Sequence, residues 1–514
     1  MVVQALKHIL RKISTAGPVV LVSASLLLSA CQPQASSMST SQPSGQEPEI
    51  AQPNQTPVPA DDPSMPTPFP TRPLYLPGEL VDYVAQTGDT LPQLAARFNT
   101  SVAEILQANS FIPPSATTMP PGMPMKIPIY YLPLWGSPYQ IIPDSLFTNS
   151  PAQVGFDTAQ FVASQPGWLK DVVEYAADAN RSAAEVIDYV ALKFSVSPRL
   201  LLALLEYQAG ALSQPTATEQ VKEFPLGYKS WDHKGLYLQL VWAADRLNQG
   251  YYSYRNAHML SIERQDGRLE RLDPWQNAAT AGLHYYFNEL YASPQYEKAI
   301  SSEGLARTYQ DLFGDPWQDP HPHIPGSLEQ PEFILPFEAG ATWAYTGGPH
   351  TAWGKGEPYA ALDFAPPSVA GGCLPSSEWV TAIAPGMVVR SEVGEVVIDL
   401  DGDGDERTGW NIFYLHLGSD GRAQLGTQLN QGNPVGHPSC EGGTSTGTHV
   451  HLARKYNGEW ITAEGMQGVL AFNMEGWVPH DGSQPYLGTL TRNVQVVEAC
   501  LCSNAASFIA SDRQ

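Results

Sequence analysis

Positive charge is scarce in this sequence. Its 514 residues include 28 Lys and Arg against 51 Asp and Glu, which gives a formal net charge of −23 at pH 7. Binding to the phosphate backbone of a nucleic acid needs clustered Lys and Arg. The charge balance therefore argues against a nucleic-acid partner. The length exceeds what a single hydrophobic core usually supports, so we expect several domains.

Long apolar runs are missing as well. The run at the start, from Val19 to Leu28, is too short to cross a bilayer as a helix. It follows a segment with Lys7 and Arg11 and leads through Ser29-Ala30 into Cys31. This arrangement resembles a bacterial lipoprotein signal, which implies that residues 1–30 are removed and that Cys31 is acylated. More than one acyl chain would anchor the protein stably in a membrane. An uncleaved anchor or an ordinary secretory signal is the alternative.

Cysteine is also rare. Besides Cys31, the chain contains Cys373, Cys440, Cys500 and Cys502. They form neither a Cys-x-x-Cys pair nor a zinc-finger spacing, which argues against a cysteine metal site. An even number of cysteines outside the cytoplasm predicts disulfides. The spacing favours a Cys373–Cys440 pair, although four cysteines allow three connectivities.

The segment from 31 to 73 has few aliphatic residues and is rich in Pro, Ser, Gln and Thr. Such a segment cannot bury enough apolar surface to offset the entropy lost on ordering. It predicts a flexible tether between the anchor and the folded domains.

Residues 81–130 predict a small module of their own. A short strand beginning at Tyr83 leads into a turn, two amphipathic helices follow, and a strand at Met125–Ile129 closes the module. This order and these residues resemble a LysM module, a β-α-α-β fold that binds the N-acetylglucosamine backbone of peptidoglycan or chitin. The resemblance implies a first glycan-binding loop made of Gly88, Asp89, Thr90 and Leu91.

Residues 150–318 carry apolar side chains at helical spacing. Helices are predicted over Gly167–Ala179, Ala183–Phe194, Pro198–Gly210 and Leu236–Asn248. The third segment is similar to the catalytic helix of lytic transglycosylases, whose Glu-Ser-Gly triplet is Gln208-Ala209-Gly210 here. Glutamine has no proton to donate to a glycosidic oxygen, and Glu206 lies on another face of the helix. We expect a lysozyme-like module without catalysis, or a helical spacer.

Histidines concentrate in the strand-rich region that begins near residue 331. His449 and His451 lie in an alternating run, so both imidazoles would point to one face of a strand, about 7 Å apart. Asp363 stands in an otherwise apolar strand, where a carboxylate is costly unless it is hydrogen-bonded or coordinates a cation. His350 follows a Gly-Gly-Pro turn, and His416 lies late in an aromatic strand.

This set of residues resembles the lysostaphin-type zinc endopeptidases, which cut peptide bonds in peptidoglycan. Most of that family places its first ligand four residues before the Asp, where this sequence has Tyr359. The beta-lytic branch places it thirteen residues before, in a Gly-Gly-x-His turn, and Gly347-Gly348-Pro349-His350 has that spacing to Asp363. The resemblance implies an antiparallel β-rich domain over 331–490, which leaves a tail with Cys-x-Cys over 491–514.

The same resemblance implies a role for each residue. His350, Asp363 and His451 would bind Zn²⁺ and leave a fourth position for water, as in catalytic rather than structural zinc sites. His416 and His449 would transfer protons and stabilise the developing charge.

Other acidic and histidine residues form weaker patterns. The run from Asp399 to Glu406 resembles a calcium loop for six positions, but Trp410 stands where an EF-hand has its bidentate Glu. We therefore interpret the run as a solvated turn. Four further histidines are interpreted as structural: His321, His323, His437 and His480.

The sequence thus predicts a multidomain α+β protein, lipid-anchored and extracytoplasmic in the cell envelope. It would combine a LysM module, a helical lysozyme-like module and an antiparallel β-rich zinc metallopeptidase that hydrolyses peptidoglycan peptides. The alternative is a non-catalytic peptidoglycan-binding lipoprotein that organises or activates other wall hydrolases. The complete set of predicted ligand and proton-transfer residues argues against that alternative.

Overall fold

The computed structural model describes residues 72–130, 136–318, 320–367, 371–501 and 504–513, all within the unit Pro66–Gln514. The predicted signal peptide, Cys31 and nearly all of the predicted tether lie outside the described residues, as does Cys502. In the part of the chain that is described, no helix is both long and apolar enough to cross a bilayer.

Residues 79–129 form a β-α-α-β module. Its elements are β1 (Glu79–Val84), α1 (Leu91–Phe98), α2 (Val102–Ala108) and β2 (Pro124–Ile129), and the two strands pair antiparallel. Thr90 caps α1 together with Gln93, and Ser101 caps α2 together with Glu104. Both are capping boxes, which satisfy backbone N–H groups at a helix start. The element order is the predicted one.

Helices and short hairpins form the middle region. In chain order they are α3 (Thr158–Ser164), β3 (Val173–Ala176), β4 (Ala179–Ser182), α4 (Ala183–Phe194), α5 (Pro198–Ala209), α6 (Glu219–Glu223), α7 (Leu236–Arg255), β5 (Ser261–Glu263), β6 (Leu269–Arg271), α8 (Ala278–Leu290), α9 (Gln295–Ala299) and α10 (Leu305–Phe313). The long helices α7 and α8 approach closely at Gly250, where an added Cβ would stand 2.9 Å from the Cα of Gly282.

The predicted helix Gly167–Ala179 is wrong. A single turn of 3-10 helix spans Trp168–Asp171, and β3 then pairs with β4 in a tight hairpin. The two valines and the tyrosine between 172 and 175 favour extended backbone, and that local preference wins over the helical spacing. The other predicted helices are confirmed as α4, α5 and α7, of which α7 continues to Arg255.

An antiparallel sheet forms the core of the C-terminal region. The strands of this region are β7 (Thr342–Thr351), β8 (Tyr359–Ala365), β9 (Val380–Thr381), β10 (Gly386–Glu392), β11 (Gly394–Asp399), β12 (Trp410–Leu417), β13 (Gln428–Leu429), β14 (Pro434–Gly436), β15 (Val450–Tyr456), β16 (Glu459–Trp460), β17 (Val478–Asp481), β18 (Gly488–Arg492), β19 (Gln495–Glu498) and β20 (Phe508–Ala510). The main sheet has the order β13-β10-β11-β12-β15-β8-β7-β20, and β16 pairs with β15.

The region predicted as a C-terminal tail belongs to this fold. β17, β18 and β19 form a small sheet, and β20 extends the main sheet by pairing Phe508 with Ala344 of β7. Val497 and Ile509 are buried in the core of the domain. Because these strands are only three to five residues long, their alternation is too short to be conspicuous in the sequence.

Both faces of the main sheet are covered. Val397, Phe413 and Ala453 share one hydrophobic cluster with the helices of the middle region. The opposite face belongs to a second cluster. Where the regions meet, Arg255 of α7 bonds Asp144 at 2.9 Å and Glu459 at 3.1 Å. The helical region is therefore a packed platform behind the sheet.

Candidate metal centre

Three neighbouring strands bring the predicted metal ligands together. His350 lies on β7, Asp363 on β8 and His451 on β15. Asp363 stands directly opposite His451 in one pairing and opposite Gly347 in the other. Opposed residues present their side chains to the same face of a sheet. The β7–β8 register shifts between Gly347 and His350. Such an irregularity changes the direction of a side chain, and here it brings the His350 imidazole next to Asp363 and His451.

The three ligand groups share one small space. Asp363 Oδ1 lies 3.3 Å from His350 Nε2 and 3.4 Å from His451 Nδ1, and these two nitrogens are 3.0 Å apart. All three residues are more than nine-tenths buried. Asp363 Oδ1 has no hydrogen-bond partner among the described residues. A cation coordinated by these atoms would satisfy that oxygen, and two imidazoles with one carboxylate are a donor set that suits Zn²⁺.

Backbone carbonyls orient both imidazoles. His350 Nδ1 donates to the Gly348 carbonyl oxygen at 2.8 Å, and His451 Nε2 donates to that of Ala352 at 3.0 Å. Each bond uses the nitrogen that faces away from Asp363 and leaves the other nitrogen with its lone pair towards the centre. Such outer contacts fix the ring tautomer of metal ligands.

Two adjacent glycines make room for the centre. A Cβ on Gly347 would stand 2.4 Å from Asp363 Oδ2, and a Cβ on Gly348 would stand 2.2 Å from the Leu487 carbonyl oxygen. Neither position tolerates a side chain without displacing a neighbour. The Gly-Gly of the predicted turn is therefore explained by close packing on both sides of β7.

The surroundings set the charge of the cluster. Burial alone would raise the pKa of Asp363, but the adjacent His350 and His449 imidazoles hold it well below its usual range. Burial lowers the pKa of His451. The carboxylate is thus ionised and His451 neutral at neutral pH, which are the forms that bind metal.

His416 and His449 lie together beside the three ligands, with ring centroids 4.6 Å apart. In the β11–β12 pairing Gly394 faces Leu417 and Glu395 faces Leu415, so His416 is an extra, unpaired residue of β12. Its backbone φ of 65° is unusual for a residue other than glycine. The bulge turns its imidazole out of the strand alternation. Its Nδ1 donates to the Glu441 carbonyl oxygen at 2.9 Å, and burial together with His449 lowers its pKa to about 4.

All five residues line one groove with a volume of about 1020 Å³. Loops from several parts of the domain form its walls, including Trp353 and Tyr486. The sulfurs of Cys373 and Cys440 are bonded to each other, which ties together two loops that flank this groove. The three predicted ligands and the two further histidines therefore share one groove whose walls are formed by loops.

Comparisons with known proteins match separate parts of the chain. The family models described as LysM domain and as LasA, N-terminal domain, match residues 83–128 and 140–327. The chain is similar to Protease LasA of Pseudomonas aeruginosa, with 24% identity over 340 residues, which is 63% of this chain and 75% of that protein. It is 32% identical over 141 residues to the beta-lytic metalloendopeptidase of Lysobacter enzymogenes, covering 26% of this chain and 72% of that enzyme.

The chain belongs to the beta-lytic metalloendopeptidase family. Among solved structures, the metalloprotease pseudoalterin from the deep sea is similar, with 24% identity, a TM-score of 0.28, and coverage of 33% of this chain and 96% of that one. The similarity to the beta-lytic enzyme of Lysobacter enzymogenes confirms the metallopeptidase prediction at the level of the family, and the LysM family model confirms the LysM prediction. The LasA N-terminal model covers the helical region, a relationship that the sequence analysis missed; the lysozyme-like interpretation stays a prediction.

Sequence reasoning also missed a residue at the centre of this beta-lytic family member. The Tyr486 ring stacks on His350 with centroids 4.1 Å apart. It comes from the loop between β17 and β18, more than thirty residues after His451 in the sequence. Only the folded backbone brings it to the groove, so no pattern could have found it.

The residues predicted for glycan contact do not face solvent. The four are buried: Gly88, Asp89, Thr90 and Leu91. Asp89 pairs with Arg97 and accepts a hydrogen bond from the Tyr83 hydroxyl at 2.7 Å. Thr90 caps α1. The polar side chains of the predicted loop, Asp89 and Thr90, therefore form their hydrogen bonds within the module itself.

A segment of the same chain lies against that side of the module. We call Ile324–Leu328 the strap. The Thr118 hydroxyl donates to the Pro325 carbonyl oxygen at 2.7 Å and accepts from the Leu328 N–H at 2.9 Å. The Ile324 N–H donates to the Thr87 hydroxyl at 2.9 Å. The strap thus bonds Thr87, which directly precedes the predicted glycan loop, and Thr118, whose neighbour Met119 donates its N–H to the Asp89 carbonyl oxygen at 2.7 Å.

The α5 helix presents no acid at the position of the missing catalytic glutamate. Gln208 Oε1 accepts a hydrogen bond from the Tyr291 hydroxyl. Glu206 Oε2 accepts from the backbone N–H groups of Leu212 at 2.7 Å and Ser213 at 3.1 Å. The Glu206 carboxylate therefore holds the turn that follows the helix.

Proposed function

We propose that this chain is a zinc-dependent endopeptidase that hydrolyses peptide bonds of peptidoglycan, in cross-bridges or stem peptides. The observation that carries the proposal is the buried His350–Asp363–His451 cluster, with the unpartnered Asp363 Oδ1 between two imidazole nitrogens. The similarity to the beta-lytic enzyme supports peptide hydrolysis, and the LysM match supports the cell wall as the target.

The three ligands would hold Zn²⁺ through His350 Nε2, Asp363 Oδ1 and His451 Nδ1. When bound, the ion supplies Lewis-acid polarisation of the scissile carbonyl and makes water more acidic. Since the three side chains are already oriented by strand register and by backbone carbonyls, they need little rearrangement to bind it.

His416 and His449 would move the protons. Each ring donates its Nδ1 proton to a backbone carbonyl oxygen, Glu441 and Gly447 respectively, and so keeps Nε2 as a proton acceptor. One Nε2 can accept the proton of the attacking water, and the resulting imidazolium can protonate the amine that leaves. While charged, it also stabilises negative charge that develops on the carbonyl oxygen.

We further propose that the LysM module binds the glycan strand and that an acylated Cys31 keeps the chain at the envelope. Both would raise the concentration of substrate near the groove. Changing Cys31 to Ser should release the chain from the membrane fraction and remove the acyl mass from its N-terminal peptide. An unmodified cysteine in the membrane-associated protein would contradict the anchor.

The experiment that tests the enzyme uses the purified full chain. Zinc is measured per chain, and peptidoglycan digestion is followed by new amino groups and new reducing ends in parallel. We expect about one zinc, new amino groups without new reducing ends, and loss of activity with chelator or in His350→Ala. The control is His480→Ala, because His480 bonds Thr491 at 2.8 Å and lies outside the cluster. Full activity of His350→Ala would overturn the proposal.

A further inference from the structure

A second group of acidic side chains lies in the turn between β11 and β12. One carboxylate oxygen each from Asp399, Asp401 and Asp403 lie within 4.8 Å of one another. Asp399 is fully buried, whereas Asp401 and Asp403 are exposed. None of the ion pairs found in the described part of the chain includes any of the three. Nearby cations are engaged elsewhere: Arg407 pairs with Asp405 at 2.6 Å, and Lys455 with Glu406 at 2.8 Å.

An independent observation comes from the neighbouring strand. Asn411 is fully buried, and its Oδ1 has no hydrogen-bond partner within the described residues. Its Nδ2 donates to the Thr408 carbonyl oxygen at 2.7 Å, which fixes which end of the amide is the oxygen. Asn411 stands directly opposite Asp399 in the β11–β12 pairing. Side chains of directly opposed residues lie next to each other on the same face, so the Asn411 amide lies beside the Asp399 carboxylate.

The group has the donor chemistry of a hard cation. It offers carboxylate and amide oxygens and neither imidazole nor thiolate, which favours Ca²⁺ over Zn²⁺. The Asp401 carboxylate packs closely against the backbone of Gly409, because a Cβ at Gly409 would stand 2.1 Å from Asp401 Oδ2. Calcium accepts six to eight oxygens in a flexible arrangement, so main-chain carbonyls and water can complete the shell.

We propose that Asp399, Asp401, Asp403 and the Asn411 amide oxygen bind one Ca²⁺ ion. In an EF-hand, the residue at position 12 of the loop supplies a carboxylate ligand, and that position is Trp410 here. Asn411, the next residue along the strand, would supply an oxygen ligand in its place. The site is separate from the zinc centre, because five strand residues place Asn411 roughly 17 Å from His416 along β12. The ion would tie β11 to β12 and hold a turn that also contacts the helical region, where Arg407 donates to the Gln153 carbonyl oxygen at 3.1 Å.

The test uses the full chain, freed of divalent cations with EGTA, dialysed free of the chelator, reloaded with ZnCl₂ and then titrated with CaCl₂ alone. Calorimetry should show about one saturable site per chain, with weaker binding of MgCl₂. The thermal midpoint should rise by several degrees at saturating CaCl₂. In the double variant Asp401→Asn with Asp403→Asn, both effects should disappear while zinc content stays at the wild-type value. Both residues are exposed, so the variant should fold.

Two further variants complete the test. Asp420→Asn, which removes an exposed carboxylate from the turn after β12, should bind calcium as the wild type does. Asn411→Asp adds a charged oxygen and should bind calcium at least several-fold more tightly, while it lowers the thermal midpoint in EGTA. Absence of a saturable site in the wild type would overturn the proposal. Equal binding by the double variant, which indicates general attraction of cations by an acidic surface, would overturn it as well.

Discussion

His449 and His451 are two residues apart on one strand, yet they have different surroundings. His451 Nδ1 lies 3.0 Å from His350 Nε2, whereas His449 Nε2 is 3.7 Å from Asp363 Oδ1 and its ring neighbours His416. His451→Ala should therefore lose zinc and activity together. His449→Ala and His416→Ala should keep zinc and lose roughly 10²–10⁴-fold in turnover, the usual effect of removing a positioned acid or base.

The measurement for these three variants is zinc per chain beside the cleavage rate. Excess zinc should restore part of the activity of His451→Ala and none of the activity of the other two. If His449→Ala loses zinc while His451→Ala keeps it, the two roles are exchanged. If all three variants stay active, the chain is not the enzyme proposed.

Gly347 is a residue whose role is visible only in three dimensions. Alanine there would bring a Cβ to 2.4 Å from Asp363 Oδ2 and displace the carboxylate from its place between the imidazoles. We expect Gly347→Ala to weaken zinc binding by roughly 10–100-fold, as changes behind metal ligands do. Gly371→Ala is the matched control, because Gly371 lines the same groove and has open space around it. Competition with a zinc chelator measures both, and equal affinities would contradict the packing argument.

The five site residues could be predicted from the sequence because their spacing resembles that of a known branch of peptidases. The contacts that orient them could not. Tyr486 on the His350 ring and the Ala352 carbonyl at His451 depend on loops that meet only after folding. The φ of 65° at His416 depends on a bulge whose partner strand ends seventeen residues earlier, at Asp399.

Single elements were predictable where local chemistry and packing agree. α4 has a Ser182 capping box with Glu185 and an apolar face, and its predicted bounds are confirmed. The stretch at 172–176 carries helical spacing and β-favouring residues at once, and the structure resolves that conflict as a hairpin. β20 is stabilised by its partner β7, some 160 residues away, so its own sequence contains little of the information.

Helix α5 resembles the catalytic helix of lytic transglycosylases, but we expect its Glu206 to have a structural role. Glu206→Ala removes the acceptor of two backbone N–H groups, at Leu212 and Ser213, and should lower the free energy of unfolding by about 1 kcal/mol. Neither this variant nor the wild type should release anhydromuropeptides from purified sacculi. Glu219→Ala on α6, an exposed residue paired with Lys222, should leave the thermal midpoint unchanged. Glycan products from the wild type that Glu206→Ala abolishes would make α5 catalytic.

For the whole molecule, the main consequence is that the predicted glycan loop is covered by the chain itself. The strap bonds Thr118 and Thr87 of the LysM module while its own Ile324 and Leu328 side chains are buried with Trp410 and Ile461 of the peptidase region. Binding of glycan at that loop would therefore compete with docking of the module on the strap. The population of the open form then limits the apparent affinity for the wall.

Weakening the strap contact should therefore increase wall binding. Thr118→Val removes two hydrogen bonds, worth about 2 kcal/mol together, which is roughly 30-fold in the docking equilibrium. Gly326→Val acts from the strap side, where a Cβ would stand 2.6 Å from Pro120 Cγ. Each variant is made in a His449→Ala background, so that the wall is not digested, and the fraction that sediments with insoluble peptidoglycan is measured against Thr100→Val as control. Both should sediment several-fold more than the control. An increase in Gly326→Val alone would indicate that Thr118 itself contacts glycan, and no increase in either would show that the strap does not limit access to the loop.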